Sequence, residues 1–278
     1  MYQSMTYISI YTSLVVVLLL WLGSMQNPFK AAWIFVKELI FSRKFLILFA
    51  AMVCVLLMNK YELQFENAMK FSGDFTPDIF GLEGRFVHHF QQLFYTPWLT
   101  PILVFFYIVV FQTILISSVG IYAAKKNWVW MYGTCYAVII NYLVAIPFYL
   151  FFPVNEVWHY APAQVTFHML DAFPAFEEIY RPLSGLNNCF PSLHTAISVT
   201  VSALAIRSGV KSWSIIAPIC GVIIVFSIFY LGVHWLSDML AGLVLGLTAS
   251  TLGLRLARRT LRNDHRYVDT MRSGLNRY

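Results

Sequence analysis

The sequence predicts an all-α polytopic membrane helix bundle of about six to seven transmembrane helices, with the N-terminus outside and the C-terminus cytoplasmic. Of its 278 residues, 59% are hydrophobic and only 12% charged, with a mean hydropathy of +0.67, whereas a soluble domain carries about 25% charged residues. Apolar runs recur at 4–23, 45–59, 99–123, 129–153, 191–208, 213–233 and 239–256, most of them near the roughly 20 residues that cross a hydrocarbon core. The basic residues, finally, alternate with these runs.

Each run is expected to be a helix, because lipid offers exposed backbone no hydrogen-bonding partner; no alternating strand pattern suggests a barrel. The first, within "MYQSMTYISIYTSLVVVLLLWLG", lacks a basic leader and a small-residue cleavage site, so it is expected to stay as an anchor. The second is short. Residues 78–95 mix apolar and polar side chains at roughly helical spacing and are expected to lie on the external membrane surface; His88 and His89 there are adjacent and point to different helix faces. The tail "RLARRTLRNDHRYVDTMRSGLNRY" reads as a cytoplasmic stop near anionic lipid.

Lys30, Lys37, Arg43 and Lys44 follow the first run, Lys125 and Lys126 the third, Arg207 and Lys211 the fifth, and seven arginines the last. Together these are 15 of the 19 basic residues, and the positive-inside rule sets them in the cytoplasm. Loops 60–98 and 154–190 are then external. The net charge of +6 reports topology, and no nucleic-acid partner is expected. With no linker or internal repeat, residues 1–278 read as one membrane domain, with accessory helices and an interfacial segment in 1–98 and the chemistry in 181–242. The four cysteines share no CxxC spacing, so neither a disulfide framework nor a thiolate metal site is indicated.

Two segments carry that chemistry: "RPLSGLNNCFPSLHT" (181–195) and "SIFYLGVHWLSDMLAG" (227–242). Both fall at external ends of apolar runs, and the turn between the fifth and sixth runs brings His194 and His234 back to one membrane face. Pro191 and Ser192 mark a helix start whose free N–H groups and dipole attract anions, and Arg181 offers a planar fork for phosphate oxygens. His234 and Asp238 are spaced i,i+4, which stacks them on one helix face, so the carboxylate orients one ring nitrogen and leaves the other as nucleophile or base. His194 suits proton donation to a leaving group. Asp238 is the only acidic residue that begins or interrupts an apolar run after position 190, a placement that points to function. No HExxH spacing supports zinc. A transporter or lipid-binding protein would place ionisable residues mid-helix in several runs; here they crowd one rim.

These segments resemble the type 2 phosphatidic acid phosphatase superfamily, whose signature is K-x6-RP, then PSGH, then SR-x5-H-x3-D. Arg181 and Pro182 match the first motif, Pro191 to His194 the second, and Ser227, His234 and Asp238 the third. The resemblance implies that His234 attacks phosphorus to form a phosphohistidine, that Asp238 orients it, and that His194 protonates the leaving oxygen, with no metal or cofactor. It assigns phosphate binding to Arg181, Ser192 and Leu193. Two cations of the pattern are missing: Pro174 stands for the lysine and Ile228 for the arginine. Their loss costs charge stabilisation, with Tyr180, Asn187, Asn188 and the helix-mouth backbone as available donors. Leu193 and the reduced clamp look like the branch holding fungal inositol phosphorylceramide synthase and, more distantly, sphingomyelin synthase. The implied activity is cleavage of a lipid phosphoester at the external leaflet of a plasma (inner) membrane, or at the lumenal face of an organelle membrane. The phospho-head group then passes to a lipid alcohol or, alternatively, to water, as in a lipid-phosphate or polyprenyl-diphosphate phosphatase.

Overall fold

An apolar run without internal proline forms the first helix, α1 (Met5–Ser24), which ends where Met25 turns left-handed at φ 51°. These coordinates come from a computed structural model, which describes residues 4–69 and 73–262; the basic tail from 263 onward lies outside them. Asn27 caps α2 (Pro28–Phe41) by accepting from the Phe29 and Lys30 amides, with proline at the first position. At Ser42 the chain bends by 103° into α3 (Arg43–Met69). The 78–95 segment is two helices, α4 (Thr76–Glu83) and α5 (Phe86–Phe94), split at Gly84 with φ 57°. It is folded onto the bundle, burying Ile79, Val87 and Gln91.

Next come α6 (Thr100–Ala124), interrupted by a π-helical turn at Phe106–Val110, and α7 (Trp128–Phe151). After a long connection follow α8 (Leu193–Arg207), α9 (Trp213–Tyr230) and α10 (Leu236–Leu261). The polytopic helical bundle expected from the sequence is present. Among the described residues α1, α6, α7, α9 and α10 are long and apolar enough to span a membrane, and the bent α2–α3 pair makes up to six. The run expected at 191–208 is α8, apolar but only 15 residues long, because Ser192 caps its start and Gly209, at φ 73°, follows its end.

Hydrogen bonds between turns define two ends. At one, Asn127 Nδ2 donates to the Ser208 carbonyl (3.1 Å), Ser212 Oγ to that of Gly23 (2.7 Å) and Lys44 Nζ to that of Thr260 (3.5 Å). Lys44, Lys125, Lys126, Arg207 and Lys211 therefore gather at this end. At the other, α4, α5 and the 152–192 connection close over the start of α10: Trp235 Nε1 donates to the Asn155 carbonyl (2.9 Å), and Gln91 Nε2 to those of Thr166 (2.7 Å) and Tyr230 (3.0 Å).

The site depends on how closely α10 approaches α8. A Cβ on Gly242 would stand 2.6 Å from the Ser192 carbonyl oxygen, and one on Gly246 would collide with that of Ala196. Small residues at such a crossing let two backbones touch inside a membrane. The contact carries the N-termini of both helices to the same end, and Ser192 N–H donates to the Asp238 carbonyl (3.1 Å).

Candidate active site

His234 does not lie on α10. The helix begins at Leu236 with Trp235 as its N-cap, and His234 occupies the preceding turn, which Gly232 enters at φ 79°. The i,i+4 pair expected on one helix face is thus a turn residue and the third helical residue. The two still meet, His234 Nδ1 lying 3.3 Å from Asp238 Oδ2 with both residues buried. Asp238 Oδ2 also accepts the Trp235 amide (2.8 Å), so one carboxylate oxygen caps the helix and holds the imidazole. With Nδ1 so engaged, Nε2 is the ring nitrogen left for chemistry.

Neighbouring bonds fix the turn. Val233 donates to the Ile228 carbonyl (2.9 Å), while the Val233 carbonyl accepts from the Val157 amide (3.3 Å) and from Cys189 Sγ (3.3 Å). Cys189, without an obvious partner in the sequence, is packed directly beneath the nucleophile candidate, and burial pushes its thiol well above the usual range. Across from His234, ring centroids 5.9 Å apart, stands His194. It packs against Tyr107 (4.0 Å, stacked), inside the π-helical turn of α6, and Phe111 (4.2 Å), the residue after it; such turns are frequent at functional sites. His194 Nε2 is buried with no hydrogen-bond partner among the described residues, a costly state unless a ligand meets it.

Both histidines line one cavity of about 170 Å³, together with Leu193, Tyr180 and Asn188. Ser192 is fully buried as the N-cap of α8, its Oγ accepting the Thr195 amide (3.3 Å). No protein acceptor takes the Leu193 and His194 amides among the described residues, so the helix mouth offers those two donors. Asn187 is not a lining residue; its carbonyl accepts the Val154 amide (3.0 Å). Tyr107, Tyr142 and Tyr149 add phenols to the wall. Burial pushes the Tyr180 phenol up to about 12, which keeps it an O–H donor.

Arg181 is placed differently from a free anion clamp. Its Nε donates to Glu177 Oε2 (2.9 Å), Nη1 to Glu156 Oε1 (2.7 Å) and the Gly185 carbonyl (2.8 Å), and Nη2 to Glu156 Oε2 (2.9 Å) and Glu177 Oε1 (2.9 Å). All five N–H donors of the guanidinium are engaged within the protein. Its Cζ also lies 5.0 Å from the Phe176 ring centroid. Burial works against its charge, and Glu177 and Glu156 outweigh that, raising its pKa. Glu156, which lines the cavity, is raised by burial against the pull of Arg181. None of the lining residues is Lys or Arg. At the two positions where the motif's cations are missing, Pro174 is exposed and Ile228 fully buried.

A scan of protein families now adds to this geometry: residues 80–252, more than half the chain, match the PAP2 superfamily. The chain belongs to that superfamily. No curated protein and no solved structure matches it. Membership in the PAP2 superfamily makes it a phosphatase-type membrane enzyme in general terms, and the matched span runs from α4 to α10. Cys189, His234 and Asp238 also form a group that bears on metal binding, with donor atoms within 4.8 Å of one another. In this structure Cys189 Sγ donates to the Val233 carbonyl and Asp238 Oδ2 accepts the Trp235 amide. His88 serves packing: its Nδ1 donates to the Gln164 carbonyl (2.6 Å) and its Nε2 meets Gln92 (2.9 Å).

Sequence reasoning passed over Tyr107, Glu156, Cys189 and Glu83. Tyr107 is one aromatic among many in an apolar helix, and the two glutamates look like ordinary loop or surface acids until the fold brings their partners to them.

Proposed function

We propose that this protein is a lipid phosphotransferase working through a phosphohistidine-type intermediate on His234. The substrate is a phosphodiester lipid whose phospho-head group passes to a lipid alcohol. Nε2 of His234 attacks phosphorus, the bond to the lipid oxygen breaks, and His194 gives that oxygen its proton. The acceptor hydroxyl then attacks the same phosphorus, its proton passes to His194, and His234 is freed. Asp238 holds Nδ1–H throughout and balances the imidazolium charge that accompanies attack.

The observation carrying this reading is a histidine pair across a cavity whose neighbouring guanidinium is fully engaged by Glu156 and Glu177. A phosphomonoester carries about two negative charges near neutrality and calls for free cations. A phosphodiester carries one, within reach of the Leu193 and His194 amides and the tyrosine hydroxyls.

Hydrolysis is the second reading, favoured by the general character of the PAP2 superfamily. The test is to incubate purified protein with radiolabelled phosphatidic acid, a polyprenyl diphosphate and phosphodiester glycerolipids, with and without ceramide or diacylglycerol as acceptor. Transfer predicts a labelled lipid product that depends on the acceptor. Free phosphate released at the same rate whatever the acceptor would sink the transferase reading and leave the hydrolase.

A further inference from the structure

We infer that Glu83 is a positioning residue for the catalytic pair, holding the start of α10 so that Asp238 stays available to His234. Its carboxylate accepts the backbone N–H of Leu236 through Oε2 (2.5 Å) and that of Ser237 through Oε1 (2.9 Å), and it also receives the Ser237 hydroxyl. Acceptor and donors lie 153 and 154 residues apart in the chain, so the tie is tertiary: the last residue of α4 reaches over the head of the helix that carries Asp238.

The first amides of a helix have no partner within it, and a carboxylate three residues into the helix is drawn toward them. Asp238 occupies that position and already takes the Trp235 amide. With the Leu236 and Ser237 amides unfilled, its carboxylate would turn further toward the helix axis and away from the imidazole, which it reaches at a long 3.3 Å. Glu83 fills both amides. Asp238 Oδ2 is left with one helix amide and the His234 ring, and among the described residues no hydrogen bond is made to Oδ1.

Packing around Glu83 holds the tie in place. Phe80 and Tyr160 both sit edge-to-face against Trp235, each 6.3 Å from it between ring centroids. The Trp235 indole is anchored on the Asn155 carbonyl, and Asn155 in turn on Thr76 Oγ1 (2.8 Å) at the start of α4. Burial raises the Glu83 carboxyl, and the bonds from Ser237 and Leu236 oppose that.

This rests on the role of His234 given above, and the test separates the two. Full-length protein in detergent is assayed on a mixture of fluorescent short-chain glycerophospholipids with phosphomonoester and phosphodiester head groups, with ceramide and diacylglycerol present as acceptors. Glu83→Gln is expected to lower kcat roughly 10- to 100-fold, the scale of a misplaced catalytic group, with KM within about 2-fold. Glu83→Asp recovers part of that loss. In an Asp238→Asn background Glu83→Gln adds less than about 3-fold, because its effect runs through Asp238. A helix cap of purely structural value would lower thermal stability and leave the kcat of folded enzyme alone. Wild-type kcat in Glu83→Gln, or a loss undiminished in Asp238→Asn, overturns the inference. If Glu83→Gln does not yield monodisperse protein, Glu83→Asp and Ser237→Ala carry the same comparison. Turnover surviving in His234→Ala would instead overturn the reading of the site, whatever Glu83 does.

Discussion

Arg181 shows how far a single residue's setting can change its meaning. Its side chain is 13% exposed and that of Glu156 8%, so removing the guanidinium leaves a buried carboxylate without its counter-charge. Arg181→Ala is therefore expected to destabilise the protein by about 3–5 kcal/mol, read as a fall in its melting midpoint in detergent. Glu156→Gln in the same chain removes the orphaned charge and is expected to restore much of that stability, since paired residues do not behave additively. A double variant no more stable than Arg181→Ala would mean that the guanidinium's worth lies elsewhere, in contact with substrate. For the catalytic pair, Asp238→Asn keeps the shape of the turn but cannot balance an imidazolium, and turnover is expected to fall on the order of a thousandfold; activity within a few-fold of wild type would remove Asp238 from the mechanism. The His234–Asp238 spacing was legible because a four-residue separation juxtaposes side chains in a turn leading into a helix as well as inside one. Of the partners of Arg181, Glu177 stands at the same four-residue spacing and is readable as a pair, whereas Glu156, 25 residues away, is not, and it is Glu156 that completes the clasp.

At the scale of elements, the site is a meeting of two helix starts, and the α8–α10 crossing sets their separation. Ser192, Thr195 and Ala196 press on α10 where Gly242 and Gly246 have no side chain. A methyl at Gly246 meets the Ala196 backbone and the Val199 side chain, and neither can step aside without moving α8. Gly246→Ala is expected to cost about 1–3 kcal/mol of stability as overpacking, and to lower turnover as well, by spreading His194 from His234. The control is Leu247→Ala, on the exposed side of the same helix, expected to leave turnover near wild type. Equal loss of activity in both would point to a general weakness of α10 and away from the crossing. The glycines are visible in the sequence, yet only the packing says which face they open. Helix α2 and the elbow at Ser42 were likewise hidden, since Lys30, Lys37, Glu38, Arg43 and Lys44 break the apolar pattern and only 45–59 reads as a run; the bend is held by Ser42 Oγ against the Tyr132 hydroxyl (3.0 Å).

For the whole molecule, six of the seven apolar runs match helices to within about five residues because a bilayer leaves the backbone no alternative to helix, whereas the run at 45–59 is part of the longer α3 (Arg43–Met69) and α2 falls outside all seven. What the runs do not encode is how loops close over one end. The tie from Glu83 to α10 and the clasp of Arg181 arise only in three dimensions. Sidedness joins the two descriptions, since Lys44, Lys125, Lys126, Arg207 and Lys211 are gathered by the fold at the end opposite the histidines. From the positive-inside rule we propose that this end is cytoplasmic and that the opposite end, where Arg85 and His89 stand exposed, faces outward. Native thiols make this testable: Cys135, Cys189 and Cys220 are buried and Cys54 is exposed, so Cys54→Ser gives a background with little reactivity. In intact cells a membrane-impermeant maleimide is expected to label His89→Cys in that background, and to reach Lys125→Cys, on the exposed turn between α6 and α7, only after permeabilisation. Labelling of Lys125→Cys in sealed cells, with His89→Cys protected, would invert the topology and turn the catalytic cavity toward the cytoplasm, where the lipids and acceptors of the inner leaflet would become its substrates.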